Sequence, residues 1–361
     1  MSVQISYKKQ ALFFVLLILI FLAAIEIIFR VYDYYYPNCR FLDSEVYDNV
    51  DFEIKRQICH DHGKVIWNND PLYLIPNQHF NTININSDGF RGEELQNNAD
   101  YRIFVIGGST TFGAGASSDS HTISGFLQKK LSSQFPQHNI EVINAGISNA
   151  YSFSEANLIK NKILSHDPDL LIIYDGWNDL DRVYENYYDT ATDVKLLDQI
   201  IRFIKRSEYV TPQVLLKLYF NFHHDNVAVA SFDSSNMEQK VSLWTETWTD
   251  ICNLQNEYGF KTIIMLQPIL GTGNKPLSSE EQQHFVHFDN ESQIYYYQKY
   301  ADVLPQLQSA CTATHDLRNI FDNYSETIYY DSGHVGDFGN EIIADTMYEK
   351  IIDVIQSDLT S

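Results

Sequence analysis

Short apolar runs alternate with helical segments through the centre of the chain. Three runs that end close to a glycine are residues 102–106, 140–144 and 170–174, and a fourth, 261–267, ends at a proline. Between them, apolar residues recur every three or four positions, as in amphipathic helices. Buried parallel strands have continuous apolar sequences and are joined by helical crossovers. The pattern therefore predicts a three-layer α/β/α sandwich around a parallel sheet.

An apolar segment near the N-terminus predicts a transmembrane helix. Residues 11–29 are apolar except for Glu26, and lysines at positions 8 and 9 precede them. About 19 residues, at about 1.5 Å each, nearly match a hydrocarbon core of about 30 Å. The lysines favour a cytoplasmic N-terminus and an extracytoplasmic body, anchored by this single span. The alternative is a signal peptide cleaved at the alanines 23 and 24, which leaves a secreted protein.

The sequence is expected to divide into three parts. Residues 1–32 form a cytoplasmic tip and the anchor, residues 33–100 a juxtamembrane segment that packs on the main domain, and residues 101–361 that domain. An insertion at about 180–250 interrupts it and is expected to be helical. Its aromatic residues are expected to form part of a cleft wall or a lid, where ordinary packing is favoured over stacking on sugars. They include Tyr184, Tyr187, Tyr188, Tyr219, Phe220 and Phe222.

Charge and cysteine spacing narrow the range of partners. The chain has 25 Lys and Arg against 47 Asp and Glu, a net charge of −22, and so acidic a surface repels nucleic acid. Its four cysteines lack the spacing of metal ligands, so neither a metal nor another cofactor is predicted. Outside the cytoplasm they are able to form disulfides. Cys39 with Cys59 is the first pairing to test, although three connectivities are open.

Residues suited to nucleophilic catalysis follow the predicted strands. Ser109 stands between a strand and a helix, where backbone N–H groups face a developing anion. A serine hydroxyl needs a base, and His334 is the candidate. Asp331, three residues earlier, is the candidate partner for the second ring nitrogen of His334. The three residues predict a Ser-His-Asp catalytic triad.

Three strand ends also offer donors for an oxyanion hole. The donors are the backbone N–H groups of Ser109 and Gly146 and the side-chain amide of Asn178. Taken singly, each motif has a simpler interpretation as a turn, a strand end or a helix cap. Their occurrence in order at successive strand ends, where functional residues collect in such sheets, favours the catalytic interpretation.

Four sequence blocks resemble those of the SGNH (GDSL-type) hydrolase superfamily. They are Ile106–Gly113 (IGGSTTFG), Asn144–Gly146 (NAG), Gly176–Asp179 (GWND) and Asp331–His334 (DSGH). The resemblance covers residues 101–361 apart from the insertion. It implies a flavodoxin-like sheet, metal-free hydrolysis through an acyl-enzyme and the roles assigned above. Gly108 departs from the family pattern, which usually has Asp there.

A further segment, Asn86–Gly92 (NSDGFRG), resembles one found just upstream of the first block in membrane-anchored members. Arg91 in this segment is a candidate to line the cleft and bind an anionic group of the substrate. The alternative is a tight turn whose arginine pairs with one of the many acidic residues.

These observations predict an extracytoplasmic serine esterase. Its substrate is expected to be an O-acyl ester, most simply O-acetyl, of a carbohydrate or a lipid. One alternative is an O-acyltransferase that passes the acyl group to a cell-surface glycan. The other is an inactive binding protein on the same scaffold.

Overall fold

The chain forms two compact units, each described here by itself. The computed structural model describes residues 6–37, 39, 41–69, 71–180, 200–201, 203–204, 207–224, 236–287 and 289–360. The first unit, which we call the helical unit, comprises Met1–Cys39 and Thr190–Ala228. The second, which we call the sheet unit, comprises Arg40–Asp189 and Val229–Ser361.

Five parallel strands form the central sheet of the sheet unit. The strands in the described ranges are β1 (Trp67–Asn69), β2 (Leu72–Leu74), β3 (Gln78–His79), β4 (Asn84–Ile85), β5 (Tyr101–Gly107), β6 (Ile140–Gly146), β7 (Leu170–Asp175), β8 (Lys261–Leu266) and β9 (Ala313–Asp316). Strands β1 and β2, and β3 and β4, pair antiparallel. The others pair in the order β6-β5-β7-β8-β9, all parallel. This is the flavodoxin-like order, with its switch point between β5 and β7.

Helices cover both faces of this sheet. The α-helices are α1 (Tyr7–Tyr35), α2 (Phe52–Lys64), α3 (Ser109–Phe112), α4 (Ile123–Gln134), α5 (Ser152–Asn161), α6 (Val210–His224), α7 (Met237–Asn253), α8 (Gln255–Tyr258), α9 (Ser279–His287), α10 (Asn290–Leu307) and α11 (Asp337–Thr360). Phe104 and Ile106 of β5 point into a layer covered by α5, α7 and α10, whereas Ile103 and Val105 point into one covered by α4 and α11. The predicted three-layer sandwich is confirmed.

The four predicted apolar runs are β5 to β8, with ends that agree to within two residues. The sequence did not predict β9. Its four residues, Ala-Thr-His-Asp, lack an apolar run because the strand lies at the sheet edge, half-buried to exposed.

Residues 41–100 belong to the sheet unit. The hydroxyl of Tyr47 donates to the carbonyl of Gly115 at 2.7 Å, and the N–H of Arg91 donates to the carbonyl of Asn144 in β6 at 3.1 Å. Two disulfides involve all four cysteines: Cys252 pairs with Cys311, and Cys39 and Cys59 are also disulfide-bonded.

The described part of the insertion is shared between the units. Helix α7 covers the sheet, and its Trp244 and Trp248 are fully buried, so these two aromatic residues have ordinary packing roles. Tyr219 instead lies on α6 in the helical unit and is 56% exposed, and its expected place in a cleft wall or lid stays a prediction. The other five aromatic residues named above lie outside the described residues or have side chains outside them.

The helical unit contains the predicted transmembrane helix. Helix α1 has 29 residues, none of them buried, and includes the whole apolar run 11–29. Within the described ranges it is the one helix long and apolar enough to cross a membrane. At about 1.5 Å per residue it is about 44 Å long, which exceeds a hydrocarbon core of about 30 Å.

Candidate active site

The nucleophile candidate begins a short helix at the switch point of the sheet. Strand β5 ends at Gly107, Gly108 is the N-cap residue, and Ser109 is the first residue of α3. A Cβ on Gly107 would lie 2.3 Å from the carbonyl oxygen of Tyr174 in β7, so the close approach of β5 and β7 requires glycine there. The turn therefore places Ser109 at the carboxyl edge of the sheet, and its N–H is among those that no helical turn uses.

The structure brings Ser109, His334 and Asp331 together from 225 residues apart. Nε2 of His334 lies 2.6 Å from Oγ of Ser109, and Nδ1 lies 2.8 Å from Oδ2 of Asp331. With the proton on Nδ1 donated to the carboxylate, Nε2 is free to accept the serine proton. The geometry is that of a nucleophile, a base and a group that orients the base.

The carboxylate of Asp331 is held in its charged form. Oδ1 accepts the backbone N–H groups of Gly333 at 3.0 Å and of His334 at 2.8 Å. Burial acts to raise the pKa of Asp331, but the imidazole of His334 and these N–H donors outweigh it and lower the pKa below its ordinary value. A charged Asp331 stabilises the imidazolium that forms when His334 takes a proton.

Two aromatic rings fix the position of the histidine. The ring of Tyr330 stacks on that of His334 with centroids 5.7 Å apart, and Trp177 meets it edge-on at 5.3 Å. The hydroxyl of Tyr330 donates to the carbonyl of Ala114 at 2.9 Å. The Tyr330 N–H donates to the carbonyl of His334 at 3.1 Å, so the loop that carries the base is itself a closed turn.

The amide of Asn178 lies beside the nucleophile. Its Nδ2 donates to the carbonyl of Ala150 at 2.6 Å, and a Cβ on Gly108 would lie only 2.5 Å from that Nδ2. An amide nitrogen has two hydrogens. With one of them bound to Ala150, the other is the predicted oxyanion donor next to Ser109.

Gly146 has a different environment from the one predicted. Its N–H donates to Oδ1 of Asn144 at 3.0 Å, and a Cβ at this position would lie 2.1 Å from the backbone nitrogen of Phe112 in α3. The observed contacts make Gly146 a packing residue that lets α3 sit against β6. The placement does not fit an oxyanion donor, because the N–H is already bound.

Sequence reasoning missed Asn149 in the loop after β6. Asn149 has φ 65°, in the left-handed region that asparagine tolerates better than most residues. The next carbonyl, that of Ala150, binds Asn178 and lies 3.4 Å from a Cβ built on Gly108. Among the residues that the structure describes, none accepts the N–H of Asn149. The Asn149 N–H is therefore a candidate third donor, and the signal in the sequence is the polar Ser-Asn pair after an apolar strand.

Arg91 lies inside the sheet unit and has no exposed side-chain surface. Its Nε lies 2.7 Å from Oδ1 of Asp119. Nη1 donates to the carbonyls of Phe112 and Gly113 at 2.9 Å each, and Nη2 to that of Thr82 at 3.0 Å. This burial does not fit the expected contact with the substrate. It fits the alternative, in which the arginine pairs with an acidic residue, here Asp119. These hydrogen bonds hold the C-terminal end of α3 in place, and thereby position Ser109 at its other end.

Three buried carboxyl groups lie behind Asn178. Asp179 accepts the N–H and the hydroxyl of Ser152 at 3.1 and 2.5 Å, and Asp175 accepts the indole N–H of Trp244 at 3.0 Å. Burial raises the pKa of both, and that of Glu155, whose pKa the charges of Asp175 and Asp179 raise further. Burial and mutual repulsion therefore favour the neutral form of these carboxyl groups more than that of an exposed carboxyl group. Among the described side chains, no group of His, Cys, Asp and Glu is arranged to hold a metal ion.

The sequence matches a family of known enzymes. Residues 105–252 match the model of the GDSL-like lipase/acylhydrolase family, which confirms the resemblance to SGNH (GDSL-type) hydrolases. The match supports an ester hydrolase as the class of protein. More particularly, these residues, fewer than half of the chain, are similar to a GDSL-like lipase/acylhydrolase domain. No curated protein matches the sequence.

Solved structures that match the chain include two acetyl xylan esterases and TesA. The acetyl xylan esterase AlAXEase is 14% identical with a TM-score of 0.39, over 69% of this chain and 99% of that one. The acetylxylan esterase Axe2 from Geobacillus stearothermophilus is 14% identical with a TM-score of 0.40, over 71% and 96%. TesA is 12% identical with a TM-score of 0.41, over 69% and 97%. Similarity at this level carries no conclusion about substrate.

Proposed function

We propose that this protein is a serine esterase that hydrolyses O-acyl esters, most simply O-acetyl esters, of a carbohydrate or a lipid. The observation that carries the proposal is the hydrogen-bonded chain from Oγ of Ser109 through the ring of His334 to Asp331. A half-buried serine does not need a base at 2.6 Å for packing. A nucleophile does, because the hydroxyl is a poor nucleophile with its proton in place.

The reaction runs in two halves. Oγ of Ser109 attacks the ester carbonyl carbon while Nε2 of His334 takes the hydroxyl proton, and the carbonyl oxygen becomes an oxyanion. The Ser109 N–H and the free N–H of Asn178 bind that oxygen, and the Asn149 N–H is a third candidate. The carbonyl re-forms as the alcohol leaves with the proton from His334. Water then attacks the acyl-enzyme, His334 takes its proton, and the serine is released with the acid.

The test is hydrolysis of a series of chromogenic esters, from acetyl upwards, by the full chain in detergent or a bilayer disc. Ser109→Ala and His334→Ala should each abolish acyl-enzyme turnover and labelling by a phosphonate probe, because the triad acts as a unit. Ser133→Ala, at an exposed serine of α4, is the matched control and should leave both unchanged. Probe labelling that persists in Ser109→Ala refutes the nucleophile assignment.

The same assay separates the alternatives. Release of free acid in water supports the esterase, whereas turnover that requires a glycan acceptor and yields an acylated glycan identifies a transferase. A folded protein that neither labels nor turns over is a binding protein.

We further propose that α1 anchors the protein in a membrane with the sheet unit outside the cytoplasm. Two observations support this: α1 has no buried residue, and all four cysteines are disulfide-bonded, as in oxidising compartments. The expected result is that alkaline carbonate leaves the protein in membranes, and that external protease degrades the sheet unit of intact cells or spheroplasts. A mature N-terminus near position 24 in the intact mass identifies a cleaved signal peptide instead.

A further inference from the structure

The one charged residue of the apolar run 11–29 is bound by a second helix. Oε1 of Glu26 accepts the N–H of Val210 at 2.8 Å, and Oε2 accepts the N–H and the hydroxyl of Thr211 at 3.0 and 2.7 Å. Arg30, one turn further along α1, pairs with the same carboxylate at 2.9 Å. Val210 and Thr211 begin α6, where a carboxylate satisfies free N–H groups and the helix dipole. Glu26 therefore caps α6 from within α1.

A second contact fixes the direction of α6 relative to α1. Nζ of Lys217 donates to the carbonyl of Tyr36 at 2.6 Å and lies 5.7 Å from the centroid of the Tyr32 ring. Since the start of α6 meets Glu26 and its middle meets Tyr36, the two helices run side by side in the same direction. The first turn of α6 is thus level with the last turn of the apolar run.

The outer face of this part of the helical unit is apolar. Side chains with half or more of their surface exposed include Phe203 (77%), Tyr209 (65%), Leu215 (51%) and Tyr219 (56%). On α1 at the same level, Ile27, Ile28 and Val31 are exposed by 62%, 63% and 53%. Both helices therefore expose apolar side chains at this level, and the only charged residue between positions 214 and 220, Lys217, reaches back to α1. Such a surface is costly in water.

We propose that α6 and the turn before it lie in the outer interface of the membrane, with Leu215 and Tyr219 in contact with lipid. This rests on the proposed span of α1, because the depth of α6 follows from its level beside Glu26 and Tyr36. Lipid is the occupant because the exposed apolar side chains of α6 begin at the level of exposed apolar side chains at the end of the proposed span. Tyrosines with a lysine at the end of a span are also typical of the membrane–water boundary. The insertion is then a second membrane contact of the protein.

The experiment uses the full chain in phospholipid discs, with one added cysteine labelled by an environment-sensitive fluorophore. The native cysteines are disulfide-bonded and do not react. Leu215→Cys and Tyr219→Cys test α6, Ile18→Cys tests the span, and Ser133→Cys is the water-exposed reference. Quenchers are lipids with a nitroxide near the headgroup, lipids with a nitroxide deep in the acyl chain, and aqueous iodide.

The expected result is a blue shift and a loss of emission at 215 and 219 with the headgroup-level quencher, and loss at 18 with the deep quencher. Glu26→Gln should weaken the loss at 215, since it removes the charge that caps α6. If 18 is quenched but 215 and 219 respond like 133, α6 is not in the membrane and the proposal is wrong. Protection of 215 and 219 from both iodide and lipid means that protein covers them, which also overturns it. No lipid quenching at 18 refutes the span itself.

Discussion

Gly108 is the residue at which the smallest chemical change should have the largest effect on turnover. A Cβ there would lie 2.5 Å from Nδ2 of Asn178, whereas ordinary contact begins at 3.4 Å. In Gly108→Ala the amide must therefore retreat by about 0.9 Å. The atom nearest to that Cβ is the end of a movable side chain, so we expect the fold to remain intact.

A retreat of this size takes the amide out of hydrogen-bond range of the oxyanion. Removal of one such donor lowers kcat by about 10²–10³-fold, or about 2.7–4 kcal/mol of transition-state stabilisation. We expect Gly108→Ala to show a loss of this order for acetyl ester hydrolysis, with little change in KM. The bond from Asn178 to Ala150 is also weakened, at a cost to stability of about 1 kcal/mol. Initial rates and thermal unfolding measure the two effects separately.

Gly63→Ala in α2 is the matched control, because a Cβ there meets nothing within 4 Å. It should leave kcat unchanged. The decisive comparison is Gly108→Ala in an Asn178→Ala background, where the second change should add almost nothing. If Gly108→Ala lowers kcat by the same factor with and without Asn178, its effect does not pass through the amide. Wild-type kcat in Gly108→Ala refutes the displacement altogether.

Three further predictions concern buried charges of the sheet unit. The pKa of Asp331 is lower in the folded protein than in the unfolded chain, so the charged carboxylate stabilises the fold above the unfolded-state pKa. This stabilisation is lost as pH falls through the folded-state pKa. The thermal midpoint of Asp331→Asn should therefore fall less steeply than that of the parent below about pH 4. Glu155 has a raised pKa, so its stabilisation is lost as pH rises. The free energy of unfolding of Glu155→Gln should therefore decline less than that of the parent as pH rises above the ordinary carboxyl pKa of 4.5. Arg91→Met leaves Asp119 without its cation and removes the guanidinium donors of three carbonyls, and should lower the free energy of denaturant unfolding by about 3–5 kcal/mol.

Each of these has a clear contrary result. If the thermal midpoints of Asp331→Asn and the parent change with pH in parallel, Asp331 is not a charged partner of His334. A steeper alkaline decline in Glu155→Gln contradicts a neutral buried Glu155. An Arg91→Met protein that loses substrate affinity while keeping its stability places Arg91 in the cleft after all.

Local signals carried most of the fold prediction. Strands β5 to β8 could be predicted because both faces of the sheet are covered, so most residues in each strand are apolar and form a continuous run. Strand β9 could not be predicted in this way, because an edge strand that is half-buried to exposed does not require a run of apolar residues. The candidate site residues could be predicted because the carboxyl ends of parallel strands lie at one edge of the sheet, where functional residues collect. The prediction named Ser109, Asn178, Asp331 and His334.

The sequence by itself determined the parallel sheet, the apolar N-terminal helix and the candidate triad, since these follow from periodicity, length and residue type along the chain. Only the tertiary structure decided the partners of each polar group. The N–H of Gly146 donates to the side chain of Asn144, and Arg91 pairs with Asp119 and binds the end of α3. Glu26 caps a helix that begins 184 residues later in the chain. Hydrogen bonds of this kind depend on positions in space to within a few tenths of an ångström, and no local pattern in the sequence specifies them.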